Sequence, residues 1–228
     1  MSLNVFLPCR KGSERVPKKN IKPFGDFENG LIEIKLKQLI NTRQVSKIYL
    51  STNDDEILEF AKKLDNEKIV IHKRCEELSS SETSTDDLIA HALELIQEGD
   101  ILWTHVTSPF LNSSDYDDII TKYYDMLNNG VDSLMTTSLI HGFLWNEKGP
   151  INYDRNKEKW PRTQTIEPIH EINSAVFIAN AEIYKKQNDR IGVNPYLYSL
   201  DKIKGFDIDW EEDFKIAEII LKSNITII

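Results

Sequence analysis

A chain of 228 residues, 40% hydrophobic and 29% charged, fits one soluble globular domain or one domain with a small appendage. Its net charge of −9, with no extended basic face, speaks against a nucleic-acid partner. Two cysteines, Cys9 and Cys75, make neither a disulfide framework nor a metal spacing; with no run of membrane-span length and an apolar start that ends at Arg10, a cytoplasmic protein is expected.

Leu3 to Leu7 reads as a strand. The segment that follows, Pro8 to Lys22, carries six cations (Arg10, Lys11, Arg15, Lys18, Lys19 and Lys22) against one acid, Glu14. Gly12 and Ser13 let the backbone approach a ligand closely, and successive N–H groups in such a turn make an anion-binding concavity. A loop at the carboxyl end of a first strand is also where open α/β sheets bind ligands. The segment therefore reads as a polyphosphate cradle; the competing reading is a solvated basic loop. Because the global charge repels an anionic ligand, local cations must do the attracting. Cys9 reads as a small space-filling residue.

Residues 30–43 read as a helix with Ile32, Leu36, Leu39 and Ile40 on its apolar face, and Lys35, Lys37 and Gln38 elsewhere. Lys47–Ser51 is a strand. Thr52 to Glu56 caps a helix running to about Leu64, and Lys68–His72 is a third strand. This alternation predicts a parallel sheet with helices on its faces. The polar run Ser79 to Asp86 feeds a helix with Leu88, Ala92, Leu95 and Ile96 on its apolar face. A loop with a helix cap is the plain reading of that run. Asp100–His105 is a further strand leading into Thr107-Ser108-Pro109, with His105 read as a core histidine. Residues 114–128 form a helix with Ile119, Ile120, Tyr123, Tyr124 and Leu127 inward, and Val131–Leu139 is another strand. Residues 140–170 break the rhythm and read as a hairpin-like excursion. In Phe206 to Asp213 a short strand ends and a helix begins at about Trp210. Strand alternation puts Asp207 and Asp209 on one face. Two such carboxylates repel unless a cation lies between them, and a hard cation such as Mg²⁺ is the physical answer.

Leu7 to Ile21, with Pro8-Cys9-Arg10-Lys11-Gly12-Ser13 and Lys19-Asn20, resembles the signature with which sugar-activating cytidylyltransferases hold the triphosphate of CTP. The similar branch is the acylneuraminate cytidylyltransferases. Thr107-Ser108-Pro109, Arg162-Thr163-Gln164, Asn173 with the following strand, and Asp207-Ile208-Asp209 resemble later motifs of that family in the same order. The chain departs from the pattern at His105, where Gln is usual and contacts the sugar, at Val106, and at Ser174, where Gly is usual. It lacks the stretch expected of the CMP-Kdo synthetases. The glycine fingerprint of dinucleotide-dependent oxidoreductases is missing as well.

The resemblance implies a single three-layer, Rossmann-like α/β domain over residues 1–228, with a mostly parallel, mixed sheet. It implies a small excursion at about 140–170 that pairs two subunits. The implied reaction joins CMP from CTP to a nine-carbon acidic sugar and releases pyrophosphate. The alternatives are a CMP-Kdo-type synthetase and a non-catalytic nucleotide-binding protein. Arg10, Lys19 and Asp209 would be catalytic. Leu7, Pro8, Cys9, Gly12, Ser13, Arg15 and Asn20 would join Arg10 and Lys19 around the nucleotide, with Arg74, Ser80 and Ser84 near its base and ribose. His105, Thr107, Ser108, Arg162, Gln164 and Asn173 would meet the sugar, and Asp207 and Asp209 would carry Mg²⁺. Lys19, on a polar loop, is expected to matter for activity and little for folding.

Overall fold

The computed structural model describes residues 2–223 and 225. Its strands are β1 (Leu3–Pro8), β2 (Val45–Thr52), β3 (Ile69–Lys73), β4 (Asp100–Thr104), β5 (Ser133–Ile140), the short β6 (Trp145–Asn146) and β7 (Gly149–Pro150), β8 (Ile169–Asn180) and β9 (Pro195–Leu200). Its helices are α1 (Gly30–Asn41), α2 (Asp55–Lys63), α3 (Thr85–Leu95), α4 (Ser113–Leu127), α5 (Ala181–Gln187) and α6 (Glu211–Lys222).

The main sheet has seven strands in the order β3-β2-β1-β4-β8-β5-β9. All neighbours are parallel except β8, which runs antiparallel to both β4 and β5. The mixed, mostly parallel α/β domain expected from the sequence is present. Strand alternation splits the core. Leu3, Val5 and Leu7 of β1 face a core shared with α1, α2, α4 and α6, whereas Phe6 faces a second core with α3 and α5. The chain steps from β1 outward to β2 and β3, then returns to place β4 on the other side of β1. That reversal leaves a crevice above the carboxyl ends of β1 and β4.

Several elements differ from the sequence reading. Lys35 and Gln38 are buried. Lys35 follows Ile32 by three residues and precedes Leu39 by four, so helical geometry places it on the inward stripe whatever its charge. Its Nζ donates to the Ser108 carbonyl at 2.7 Å and to the Tyr116 hydroxyl at 2.6 Å. Burial pushes this ammonium down to about 7, against the pull of Asp207. Gln38 donates to the Pro109 carbonyl at 2.6 Å. On α3 the buried residues are Ile89, His91 and Ala92, joined by Ile96, with Leu88 rotated toward the crevice. Helix α5 and strand β9 were not anticipated. Residues 206–209 are extended but not a strand, because no ladder forms beside them; the Ile208 N–H makes one bond, to the Thr107 carbonyl at 2.9 Å.

Gly30 opens α1 with a φ of +61°, and a Cβ there would lie 2.0 Å from the Lys22 carbonyl oxygen. That carbonyl belongs to backbone and cannot swing away. Gly30→Ala is expected to destabilise the fold by about 3 kcal/mol or more, combining left-handed strain with the clash. Chemical denaturation checks this; a loss below about 1 kcal/mol would contradict it.

Candidate active site

A crevice of about 560 Å³ lies over the ends of β1 and β4. One wall is the basic loop. The loop is pinned by three bonds: the Cys9 N–H to the Ser51 carbonyl at 2.9 Å, the Lys11 N–H to Asn53 Oδ1 at 2.8 Å, and Asn20 Nδ2 to the Arg10 carbonyl at 3.0 Å. Gly12 turns it with a φ of +83°. Pro8, Cys9, Arg10, Ser13, Arg15, Lys19 and Asn20 all line the crevice, together with Glu14. Leu7 and Gly12 do not: Leu7 is buried in the sheet, and Gly12 shapes the turn. Burial pushes the Cys9 thiol up to about 12, so it fills space and is no nucleophile.

Lys19 is 8% exposed, which corrects the expectation of a polar-loop side chain. It reaches across the crevice floor, where Nζ donates to the Ile208 carbonyl at 2.7 Å and lies 3.8 Å from Asp209 Oδ1. Burial lowers its pKa, while Asp209 and Asp207 pull it back up.

The opposite wall carries Arg74, Ser81 and Leu88. Arg74 is buried; its Nε donates to Ser79 Oγ at 3.1 Å, and its Nη1 has no partner. Ser80 and Ser84 lie outside the crevice. Ser80 pairs with Thr83, and Ser84 caps α3 in a reciprocal arrangement with Asp87, so the cap reading holds for that run.

His105, Val106 and Thr107 form the back of the same crevice. Burial pushes His105 down to about 3, and its Nε2 accepts from Trp103 Nε1 at 3.0 Å. It is therefore neutral, with the proton on Nδ1. Ser108 is fully buried and lines neither crevice; its carbonyl serves Lys35.

A second crevice, of about 640 Å³, opens between β5, β8 and the turn after β9. It shares Ser174, Asp207 and Asp209 with the first. Asn173 lines it, beside Ser138, His141, Glu171, Lys202 and Gly205, none of which the sequence reading proposed. The bulge in β8 creates this junction. Thr136 Oγ1 donates to Asn173 Oδ1 at 2.7 Å and accepts from the Val176 N–H at 2.9 Å, leaving Ser174 pushed out with a φ of +58°. A glycine is the easy occupant of that backbone, and glycine is what the resembling family usually carries where this chain has Ser174. Arg162 and Gln164 sit on an exposed 3₁₀ turn, Thr163–Thr165, outside both crevices.

Asp207 and Asp209 face the crevices while Ile208 is buried between them, so alternation holds without a strand. Bare repulsion does not. Asp209 Oδ1 lies 3.1 Å from Arg15 Nη2 as well as near Lys19. Asp207 Oδ1 is buried without a partner. Its pKa is raised, chiefly by burial and further by Asp209, against a hydrogen bond from Thr107 and the charge of Lys19. A buried carboxylate oxygen with no donor, beside a second carboxylate and an anion cradle, fits a hard cation whose remaining ligands come from phosphate and water. Among the described residues no cluster of three or more His, Cys, Asp or Glu offers a complete protein cage. Nor is any helix among them long and apolar enough to cross a membrane.

The chain is 24% identical over 230 residues to the pseudaminic acid cytidylyltransferase of Campylobacter jejuni subsp. jejuni serotype O:2, covering 96% of each chain. It is 24% identical over 226 residues to the N-acylneuraminate cytidylyltransferase of Streptococcus agalactiae serotype III, covering 92% of this chain and 51% of that one. Among solved structures, CMP:2-keto-3-deoxy-manno-octonic acid synthetase complexed with CTP superposes with a TM-score of 0.71 at 14% identity, over 99% of this chain and 100% of the other. The cytidylyltransferase family profile matches residues 5–225, and the chain belongs to that family.

Proposed function

We propose that the protein joins CMP from CTP to a nine-carbon nonulosonic acid of the sialic type, releasing pyrophosphate. The observation that carries this reading is the meeting of two crevices, one basic and one between β5 and β8, at Asp207, Asp209 and Ser174. The first suits a nucleoside triphosphate and the second a sugar, and the shared edge is where the α-phosphate and the attacking hydroxyl would meet. Catalysis is then positioning and charge stabilisation. Arg10, Lys19 and Arg15 bind the triphosphate, with Ser13 and Asn20 beside it. Arg74 offers its unpartnered Nη1 to an acceptor on the base. Asp207 and Asp209 would hold Mg²⁺, which when bound would supply positive charge to the phosphates and would acidify the attacking hydroxyl. The side chains of the β8 bulge orient the acceptor sugar.

The acceptor is read as an N-acylneuraminate-type acid; pseudaminic acid is the substrate named for the Campylobacter relative. Pyrophosphate release with CTP and a panel of N-acylneuraminic, pseudaminic and legionaminic acids and Kdo tests the reading. Turnover with a nonulosonic acid is expected, and no turnover with any of them would leave a nucleotide-binding protein. CTP is expected to exceed ATP, GTP and UTP by roughly 10²-fold or more in kcat/KM, since a buried donor left unpaired by the wrong base is costly. Equal use of all four would remove the cytidine preference and leave the phosphate cradle.

We further read the excursion as a homodimer contact and the cytoplasm as the place of work. The β6–β7 hairpin and its flanks expose Phe143, Trp145, Ile151 and Trp160, with Arg155 stacked on both tryptophans. Such an apolar patch on one projection is the kind of surface that a second copy covers.

A further inference from the structure

Arg15 is placed differently from the other cations of the loop. Its Nη2 lies 3.1 Å from Asp209 Oδ1, and its guanidinium carbon lies 5.0 Å from the centroid of the Trp210 ring. Trp210 is 56% exposed, and it directly follows Asp209, which lines both crevices. Its backbone is fixed, because Asp213 Oδ2 accepts from the N–H groups of Asp209 at 3.0 Å and Trp210 at 2.7 Å. Arg15 therefore has an anion on one side and an aromatic face on the other, which together hold a guanidinium without locking it. About half of each partner of the ion pair stays in solvent, so the pair is readily exchanged.

The two carboxylates are thus unequal. Asp209 Oδ1 has both Arg15 and Lys19 within 4 Å, while Asp207 Oδ1 has no partner. A divalent cation arriving alone meets two positive charges at Asp209. A triphosphate arriving first offers those charges better partners, since charge-assisted bonds to phosphate are strong and bidentate for Arg. We propose that Arg15 is a displaceable counter-ion, parked on Trp210, that neutralises Asp209 in the unloaded crevice and moves to the triphosphate on loading. The divalent cation then enters with or after the nucleotide and not before it. Trp210 acts as a positioning residue: it touches Arg15 and holds it within reach of both anions. This rests on reading the basic crevice as a triphosphate site.

Two measurements test it. The first needs no nucleotide. Mn²⁺ binding to the full chain is followed by loss of the free-ion paramagnetic resonance signal. Arg15→Ala is expected to bind Mn²⁺ about tenfold more tightly than wild type, because one like charge beside the site is gone. Equal affinity overturns the proposal. The second uses inorganic tripolyphosphate in EDTA, with tryptophan emission as readout and calorimetry to establish binding. Wild type is expected to change emission on binding; Trp210→Phe is expected to lose that change, and Arg15→Ala to lose most of it. Binding by calorimetry without an emission change from Trp210 also overturns the proposal. If CTP fails to bind, the proposed reaction falls, while the Mn²⁺ comparison still decides the role of Arg15.

Discussion

Lys19→Ala is expected to lower kcat/KM for CTP by about 10²- to 10³-fold, the loss that follows removal of one preorganised electrostatic donor. The structure adds a second effect. Lys19 Nζ holds the buried Ile208 carbonyl, so alanine leaves that acceptor unsatisfied at a cost of about 1–3 kcal/mol in stability. The two effects separate with Lys19→Arg, which keeps the charge. Arginine is expected to recover part of the rate, while alanine recovers none even at a temperature where both variants are fully folded. Turnover by Lys19→Ala within threefold of wild type would remove Lys19 from the triphosphate site.

Asp207→Asn is expected to cost about 10²-fold or more in metal-dependent turnover, since the charge stabilisation a bound metal supplies is worth several kcal/mol. Its effect on folding has the opposite sense. Burial raises the pKa of Asp207, so the folded state holds the proton more tightly than the unfolded one. The ionised carboxylate therefore costs stability above the folded pKa, and that cost disappears as pH falls through it. At neutral pH the amide variant is expected to melt at or above the wild-type temperature, with the difference closing on acidification. Wild-type turnover should fall on the acid side, because protonated Asp207 cannot hold a cation. Thermal melts and Mg²⁺-titrated turnover across pH check this. An Asp207→Asn protein that unfolds readily and keeps ordinary metal dependence would make the aspartate a structural cap. Asp209→Asn differs in kind: it releases Arg15 and Lys19, so it removes a favourable contact and not a bare repulsion.

The sheet and the basic loop were legible because both rest on local rules. Apolar runs of strand length alternate with helical stripes, and a glycine among cations after β1 marks a turn, whether that turn is a phosphate cradle or a solvated basic loop. Lys35 faces inward because helical position, not residue type, decides which face of α1 it occupies. Lys19 lies in a turn, where no periodicity marks burial, and its long stem crosses the floor to Ile208. The second crevice was largely invisible. Ser138, His141, Glu171, Lys202 and Gly205 come from β5, β8 and a turn after a strand that the sequence reading did not find, and only tertiary pairing brings them together. Ser80, Ser84 and Ser108 failed to reach a crevice for local reasons: a turn contact, a helix cap and burial under α1. Asp207 and Asp209 were correctly placed on one side although the segment is no strand, since any extended backbone with a buried residue between them gives that result.

The insertion of β8 between β4 and β5 has a consequence for the order of assembly during synthesis. Strands β1 to β4 can pair as the chain emerges, yet β4 then ends in an open edge and β5 has no neighbour until residues 169–180 arrive. Such non-local closure is slow, and an unpaired edge invites wrong partners meanwhile. The basic loop is complete long before Asp207 and Asp209 leave the ribosome. A nascent chain would thus carry a phosphate-binding turn without its acidic counterpart, and a truncation before β8 is expected to yield aggregating protein in place of a half-active one.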